Sequence, residues 1–307
     1  TMALNTHRHL ELYFAVPCIG ATLHPINVRL AQDHISYTIN HAEDKIIFVD
    51  DLLLPLLESV YDKIKDMVEK FVYMSDKPGL PDTKIENIYE YEELLNQQPD
   101  NFEWPYLDED CYATLCYTTG TTGLPKGAMF THRALYIFTL HMVSHAAFVN
   151  DPTYHSLGEN SIPMVTTPLF HIHGWGAPFI YTFLAVKMIL PGTFTVEGFC
   201  ELVQTEKVTS VAVVPTILAL LIEYPDIDKY DLSSLVTVSV GGGALPLGLK
   251  TKVEKKIPGF TASSGYGMTE TAPTTVRAFV KKYMRDWSKE KLDEVRVKQD
   301  CLSLDLK

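Results

Sequence analysis

The chain has 307 residues, of which 46% are hydrophobic and 21% are charged. This composition is typical of a globular protein with a large core, and the length predicts about two domains or one large one. The formal net charge of −12 argues against a nucleic-acid-binding surface, so we expect no nucleic-acid partner.

The first hundred residues alternate between helical and strand patterns. We predict strands at 21–24, 45–50 and 71–74 and helices at 7–16, 31–41 and 52–68. Because strands and helices alternate, the connections should be right-handed βαβ crossovers within a parallel sheet. Residues 78–110 are acidic, with a helix expected at 89–96. We therefore assign residues 1–110 to a βαβ subdomain that ends in an acidic connecting segment.

A buried strand predicted at 111–117 leads into the most informative stretch of the chain. Four threonines, Thr118, Thr119, Thr121 and Thr122, alternate there with Gly120 and Gly123, and the stretch closes with Pro125-Lys126-Gly127. Glycine lets backbone N–H groups converge on one anion, threonine adds hydroxyl donors, and lysine adds a positive charge. The stretch predicts a phosphate-binding loop rather than a plain flexible turn. It differs from the common P-loop, in which serine or threonine follows the lysine.

The next hundred residues contain two patterns that suggest other sites. His141 and His145 lie four apart in a helix predicted at 132–149, but no further zinc ligands accompany them, so we interpret them as surface histidines. Residues 160–186 carry no charged Asp, Glu, Lys or Arg and are long enough to span a bilayer. Their prolines and glycines would break such a helix, so we predict a strand, a loop and a core helix with no transmembrane segment.

Within this uncharged stretch, His171 and His173 follow a predicted strand end and precede Gly174-Trp175-Gly176. A His-x-His pair is compatible with a metal site, but the remaining ligands are missing. A loop histidine beside glycine and an aromatic residue is typical of the wall of an apolar pocket.

Two further strand ends are rich in glycine. Strands are predicted at 186–190, 209–214, 235–240 and 260–263 and helices at 195–207, 218–224 and 247–256. Gly241–Gly243 follow one strand and leave bare backbone for a flat ligand, although a tight turn is the alternative. Tyr266, between two glycines, is suited to stacking on a base, and Thr269 and Glu270 are suited to phosphate and Mg²⁺. Three such strand ends predict one crevice beyond the carboxyl ends of a parallel sheet.

Taken in order, these motifs resemble the core motifs of the adenylate-forming enzymes, which include acyl-CoA synthetases, luciferases and peptide-synthetase adenylation domains. The resemblance covers residues 5–270. His-Ala-Glu-Asp-Lys at 41–45 and Leu-Pro-Gly at 190–192 are similar to long- and medium-chain fatty-acyl-CoA synthetases. The resemblance implies an α/β fold with parallel-sheet layers flanked by helices. This fold would be the central part of the family's large N-terminal domain. Residues 111–307 would then be an incomplete nucleotide- and acyl-binding subdomain, without the C-terminal lid domain.

The resemblance also implies a role for each matching residue. The implied catalytic residues are Lys126, His171, Thr269 and Glu270, and the implied magnesium ligands are Thr118 and Glu270. His171 and Trp175 would contact the acyl substrate, with Trp175 as a gate to its tunnel. The implied ATP-binding residues are Thr118, Thr119, Gly120, Thr121, Thr122, Gly123, Ile172, Gly242, Gly243, Ala244, Ser264, Gly265, Tyr266, Gly267 and Thr269.

The reaction implied by the resemblance converts a fatty acid and Mg·ATP into an acyl-adenylate and pyrophosphate, after which coenzyme A displaces AMP. Two other functions stay open: a ligase for short-chain or aromatic acids, and a non-catalytic nucleotide-binding product. The non-catalytic product stays open because the family's C-terminal domain, which carries a catalytic lysine, is not part of this sequence. Five cysteines without a Cys-x-x-Cys pair indicate free thiols and a cytoplasmic location. A homodimer is an alternative to a monomer.

Overall fold

A computed structural model describes residues 1–118, 123–148, 157–257, 259–277, 280 and 282–297. They form two compact units, which are described separately below. Unit 1 comprises Thr1–Leu135 with Leu169–His173, and unit 2 comprises Tyr136–Pro168 with Gly174–Lys307. The expected mixed α/β class, with parallel sheets flanked by helices, is confirmed. The subdomain boundary placed after residue 110 stays a prediction.

Unit 1 contains a three-stranded parallel sheet with the order β1-β2-β3. Its strands are β1 (Ile46–Asp50), β2 (Lys70–Met74) and β3 (Ile88–Glu90), and its helices are α1 (His7–Cys18), α2 (Gln32–Ala42), α3 (Leu54–Val60) and α4 (Tyr91–Asn96). Ile35 and Ile39 lie four apart on α2, and this spacing puts both on the face that packs into the core with Ile47 and Leu57.

Three local predictions in unit 1 are wrong. Residues 21–24 form no strand, because only Leu23 makes a bridge, to Thr114. The single helix expected at 52–68 is broken into α3 and short 3-10 turns at Asp51–Leu53 and Tyr61–Lys63. Pro55 lies in the first turn of α3, where the lack of a backbone N–H costs nothing, so the proline starts a new helix. Helix α1 also passes Pro17 and ends at Cys18.

The strand that leads into the predicted phosphate loop does not belong to a parallel sheet. β4 (Tyr112–Thr118) pairs antiparallel with β5 (Lys126–Thr131), so the Thr/Gly stretch connects the two strands of a hairpin. A Cβ atom on Gly127 would lie 2.8 Å from the Cδ1 atom of Leu115, so glycine allows this side chain of β4 to cover β5. The sequence pattern did not predict β5.

Unit 2 is built on a five-stranded sheet with the order β10-β9-β8-β7-β6, in which only β10 runs antiparallel. The strands are β6 (Pro163–Met164), β7 (Ser210–Val213), β8 (Thr237–Val240), β9 (Thr261–Tyr266) and β10 (Val276–Arg277). The helices are α5 (His132–Phe148, which begins in unit 1), α6 (Ile172–Phe183), α7 (Val196–Glu206), α8 (Pro215–Glu223), α9 (Leu247–Lys256) and α10 (Lys289–Val297). Phe199, Val211, Val238 and Val253 are buried in its core.

The strand expected at 186–190 is reduced to one bridge, between Met164 and Ile189. Helix α8 begins three residues earlier than expected, at Pro215, again because proline is tolerated in the first turn of a helix. None of the helices in the described ranges combines the length and the apolar character needed to cross a bilayer.

Candidate nucleotide and acyl site

The β4–β5 hairpin places Thr118 and Lys126 opposite each other at its end. The Thr118 hydroxyl donates to the Lys126 carbonyl at 3.4 Å, and the Lys126 side chain is exposed, with no ion pair to any other described residue. Gly123 has open space around its Cα. Thr119, Gly120, Thr121 and Thr122 lie outside the described residues. The described ends of the loop therefore offer a hydroxyl and a free ammonium group.

A polar cluster that the sequence reading missed supports the start of this hairpin. His41 Nδ1 lies 2.7 Å from the Tyr117 hydroxyl, and the rings of His24 and Tyr117 are 5.0 Å apart. His24 in turn contacts Asp44 at 2.8 Å. Burial, followed by the charge on Asp44, raises the pKa of Tyr117 to about 12. Tyr117 therefore stays a neutral hydrogen-bonding anchor next to Thr118. His41 and Asp44 belong to the His-Ala-Glu-Asp-Lys segment, which was the only sequence signal for this cluster.

The segment Leu169–His173 belongs to unit 1 and presents His171. His171 is exposed, although partial desolvation and then the positive charge on Arg29 lower the pKa of its imidazole. The Cζ atom of Arg29 lies 5.7 Å from the centroid of the Phe170 ring. The Ile172 side chain is buried, so only its backbone is available to a nucleotide.

No role was predicted for His173 from the sequence. Of the two histidines, His171 and His173, it is nevertheless the more firmly held. It is 1% exposed, its Nε2 atom lies 3.0 Å from the Thr114 hydroxyl, and burial lowers its pKa to about 3. The Cys116 sulfur is 3.8 Å from its Nδ1 atom, and burial raises the pKa of that thiol to about 12. With a neutral imidazole beside a protonated thiol, this pair lacks the thiolate that a nucleophilic dyad needs.

The backbone turns left-handed immediately after His171. Five consecutive residues have positive φ angles: Ile172 (35°), His173 (55°), Gly174 (53°), Trp175 (59°) and Gly176 (81°). This conformation costs about 1–2 kcal/mol for each residue that carries a Cβ atom. Such strain persists only where surrounding contacts hold it, and it is typical of ligand-binding segments.

In unit 2, Trp175 packs against the glycines that follow β8. A Cβ atom on Gly241 would lie 2.8 Å from Cη2 of Trp175, and one on Gly242 would lie 3.5 Å from Cζ2 of the same ring. Gly242 also has a positive φ of 71°. Gly243 is half-buried and Ala244 is exposed. At Gly241 the flat group against the bare backbone is the indole of the chain itself, and the binding of a flat ligand to these glycines stays a prediction.

The end of β9 carries the remaining predicted nucleotide residues. The Ser264 hydroxyl is buried without a hydrogen-bond partner in the structure, Gly265 is half-buried, and the Tyr266 ring is 48% exposed. A Cβ atom on Gly267 would lie 1.7 Å from the Pro273 carbonyl oxygen, so only glycine fits there. The exposed aromatic face of Tyr266 fits a nucleobase.

Thr269 and Glu270 lie on a 3-10 turn, Thr269–Thr271, directly after this strand end. Thr269 is half-buried. The Glu270 carboxylate is exposed and makes no ion pair within the described part of the chain. The donor set of a hydroxyl and a free carboxylate consists of hard oxygens, which fits Mg²⁺.

An enclosed apolar cavity lies beside Trp175 within unit 2. It is lined by Met142, Leu157, Met164, Val165, Thr166, Thr167, Gly174, Trp175, Ala177, Ile180, Tyr181, Ala212 and Thr274. Its volume is about 50 Å³, which is room for only a few water molecules and well below the roughly 300 Å³ of a typical small-ligand pocket. With Trp175 in this position, the cavity is too small for a long acyl chain.

Comparison with known proteins identifies the family. The sequence model of the AMP-binding enzyme family matches residues 1–297. A long-chain-fatty-acid–CoA ligase from Thermus thermophilus is 38% identical over 291 residues, covering 94% of this chain and 50% of the relative. A medium-chain-fatty-acid–CoA ligase from Ectopseudomonas oleovorans is 34% identical over 275 residues, covering 89% and 48%. The chain spans about half the length of these relatives.

The fold agrees with this assignment. The crystal structure of the anthranilate CoA ligase AuaEII in complex with anthranoyl-AMP superposes with a TM-score of 0.78 at 22% sequence identity, covering 91% of this chain and 52% of that one. This likeness bears on the fold alone. The chain belongs to the AMP-binding enzyme family, the adenylate-forming enzymes that its motifs resemble.

The contact between Trp175 and Gly241 can be tested by Gly241→Ala. The added Cβ atom must displace the indole, so we expect Trp175 to become more accessible to acrylamide. Quenching should be measured in a Trp104→Phe, Trp287→Phe background, where Trp175 is the only tryptophan. Gly248→Ala is the control, because its Cβ atom would meet nothing within 4 Å. Equal quenching in the two alanine variants would contradict the packing.

Proposed function

We propose that the protein to which this chain belongs activates a fatty acid with ATP and transfers the acyl group to coenzyme A. Family membership and the names of the two ligases above support this proposal. The structural observation that carries the choice of an acyl substrate is the apolar cavity beside Trp175 in unit 2.

The nucleotide roles are assigned residue by residue from the family motifs. In unit 1, Thr118 and Lys126, with Thr119, Gly120, Thr121, Thr122 and Gly123, bind phosphate. In unit 2, Gly242, Gly243, Ala244, Ser264, Gly265, Tyr266 and Gly267 bind the adenosine part, and Thr269 contacts phosphate. The exposed Tyr266 ring supports the adenosine assignment most directly.

Thr118 and Glu270 are the proposed magnesium ligands. Each is assigned from the family motif in which it lies. A bound Mg²⁺ ion would neutralise phosphate charge, as it does in other phosphoryl-transfer sites. The free Glu270 carboxylate fits this role, since a carboxylate already held by a lysine or arginine would be a poorer ligand.

In the first half-reaction, a carboxylate oxygen of the acid forms a bond to the α-phosphorus of ATP, and the bond to the β-phosphate oxygen breaks. Pyrophosphate leaves, and the Lys126 ammonium group stabilises the charge that it gains. His171 faces the reacting carboxylate. Because its pKa is lowered, its imidazole is neutral at neutral pH and can donate a hydrogen bond without binding the anion too tightly.

In the second half-reaction, the sulfur of coenzyme A attacks the acyl carbonyl carbon, AMP leaves with the electron pair of the C–O bond, and the thiol proton is lost. Nothing in this scheme requires a nucleophilic side chain of the protein. This agrees with Cys116, whose buried thiol stays protonated.

The small cavity favours a second candidate, a ligase for short-chain acids. A cavity of about 50 Å³ accommodates a few atoms without any movement of Trp175. The two candidates differ in one respect only: whether the Trp175 indole leaves Gly241 when substrate binds.

Glu270→Gln tests the nucleotide half of the proposal. The substitution keeps the size of the side chain and removes its charge, so we expect Mg²⁺-dependent ATP affinity, measured by calorimetry, to fall by about tenfold or more, as for loss of a charged contact. ATP affinity without the metal should change little. Glu223→Gln, an exposed carboxylate at the end of α8, is the control. Unchanged Mg·ATP affinity in Glu270→Gln would exclude the metal role.

Trp175→Ala tests the acyl half. Removing the indole should open the cavity, so the variant should gain activity with palmitate relative to octanoate while its ATP affinity stays the same. Acid-dependent exchange of pyrophosphate into ATP, measured with octanoate, laurate and palmitate, gives this preference. Profiles that superimpose on those of the unsubstituted protein would mean that Trp175 does not gate the acyl site.

A further inference from the structure

The five residues that present His171 are fastened at both ends within unit 1. At one end, the Leu169 amide donates to the Asn5 side-chain oxygen at 2.9 Å, and the Leu169 carbonyl accepts from the Tyr13 hydroxyl at 2.6 Å. At the other end, His173 contacts Thr114 of β4 at 3.0 Å. His171 lies between these anchors and is itself exposed.

The hydrogen bonds around His173 favour one tautomer. The Tyr13 hydroxyl donates its proton to the Leu169 carbonyl, so toward the His173 Nδ1 atom, 3.4 Å away, its oxygen can only accept. A proton on Nδ1 satisfies this oxygen, and the Nε2 atom then accepts from the Thr114 hydroxyl. The bonds form one relay from Thr114 through His173 and Tyr13 to the backbone of Leu169.

The other groups that face the His173 ring keep it neutral and fixed. The Tyr13 ring of α1 and the Phe130 ring of β5 meet it edge-on, with centroids 5.7 Å and 5.5 Å away. Cys116 of β4 lies beside it as a protonated thiol. Burial raises the pKa of Tyr13 well above its ordinary value, so neither titratable neighbour supplies a charge. A buried, fully engaged ring of this kind has one orientation.

We propose that His173 is a positioning residue, whose Nδ1-protonated imidazole completes the relay from Thr114 to Leu169 and thereby fixes the segment that presents His171. The importance of His171 rests on the proposed function, but the relay itself does not. Because β4 also carries Thr118, the same relay ties the His171 segment to the strand that leads into the phosphate-binding hairpin. His173 is not a catalytic residue, since its burial leaves no surface for a substrate.

The relay is tested by NMR on the ¹⁵N-labelled 307-residue chain, without nucleotide or acid. Long-range histidine spectra should show His173 as the Nδ1-protonated tautomer, with no titration in the range where exposed histidines titrate. The second readout is the titration of His171, whose signal is assigned with His171→Gln. Partial desolvation and the charge on Arg29 lower its pKa in the intact segment, so loosening the segment should weaken both effects and raise this pKa toward its ordinary value.

Three variants remove the relay at different points. His173→Leu removes both nitrogen atoms, Thr114→Val removes the first donor with little change of shape, and Tyr13→Phe removes the hydroxyl in the middle. We expect the pKa of His171 to rise in all three, most in His173→Leu. Leu57→Ala is the control, because it opens the core around β1–β3 without touching the relay. It should lower the melting temperature and leave the His171 titration unchanged.

An unchanged His171 pKa in a folded His173→Leu or Thr114→Val variant, or an Nε2-protonated His173, would overturn the proposal. If His173→Leu does not fold, Thr114→Val and Tyr13→Phe decide the question. In a protein active in pyrophosphate exchange, Thr114→Val should lower kcat more than it raises the KM for ATP. The expected NMR result in this chain, combined with a longer protein that contains it and never binds Mg·ATP, would refute the proposed function and leave the relay standing.

Discussion

The constraint on which the candidate site depends is the left-handed turn from Ile172 to Gly176. The chain passes from unit 1 to unit 2 within this turn, and a large ring lies on each side of the crossing. His173 is buried among the rings and hydroxyls of unit 1, and Trp175 covers Gly241 in unit 2. The contacts of the buried His173 ring and of the half-buried Trp175 ring hold the strained residues Ile172, His173 and Trp175 in place. The exposed His171 side chain is thus held by its neighbours rather than by its own contacts.

Electrostatics impose the second constraint, because the substrates proposed above are anions and the chain has a net charge of −12. Individual cationic side chains supply the positive charge that the chain as a whole lacks. Lys126 is exposed and free of ion pairs among the described residues, and Arg29 lies close enough to lower the pKa of His171. The buried groups around His173 are all neutral. Lys126 and Arg29 are both exposed, so a phosphate or carboxylate can reach their positive charge.

Sequence patterns predicted those features that depend on neighbouring residues. β1, β2, β7, β8 and β9 and the helices α2, α7 and α9 follow from local periodicity, and the glycines after β8 from glycine content, whereas β3 and β10 were not predicted. Features that depend on distant residues were missed. β5 carries no strand pattern of its own and forms only because Gly127 lets Leu115 cover it. The burial of His173 requires Tyr13 and Thr114, which lie 160 and 59 residues away in the sequence. For the same reason, local pattern could not show that Trp175 itself covers Gly241.

The most direct test of acid activation is the exchange of labelled pyrophosphate into ATP, since this reaction reverses the first half-reaction and needs no coenzyme A. The 307-residue chain and a longer protein that contains it should be compared at equal concentrations with Mg·ATP, with and without a long-chain fatty acid. Acyl-adenylate formation predicts incorporation of label that depends on the fatty acid and that saturates as its concentration rises. Tight binding of Mg·ATP to the longer protein with no acid-dependent incorporation would contradict it.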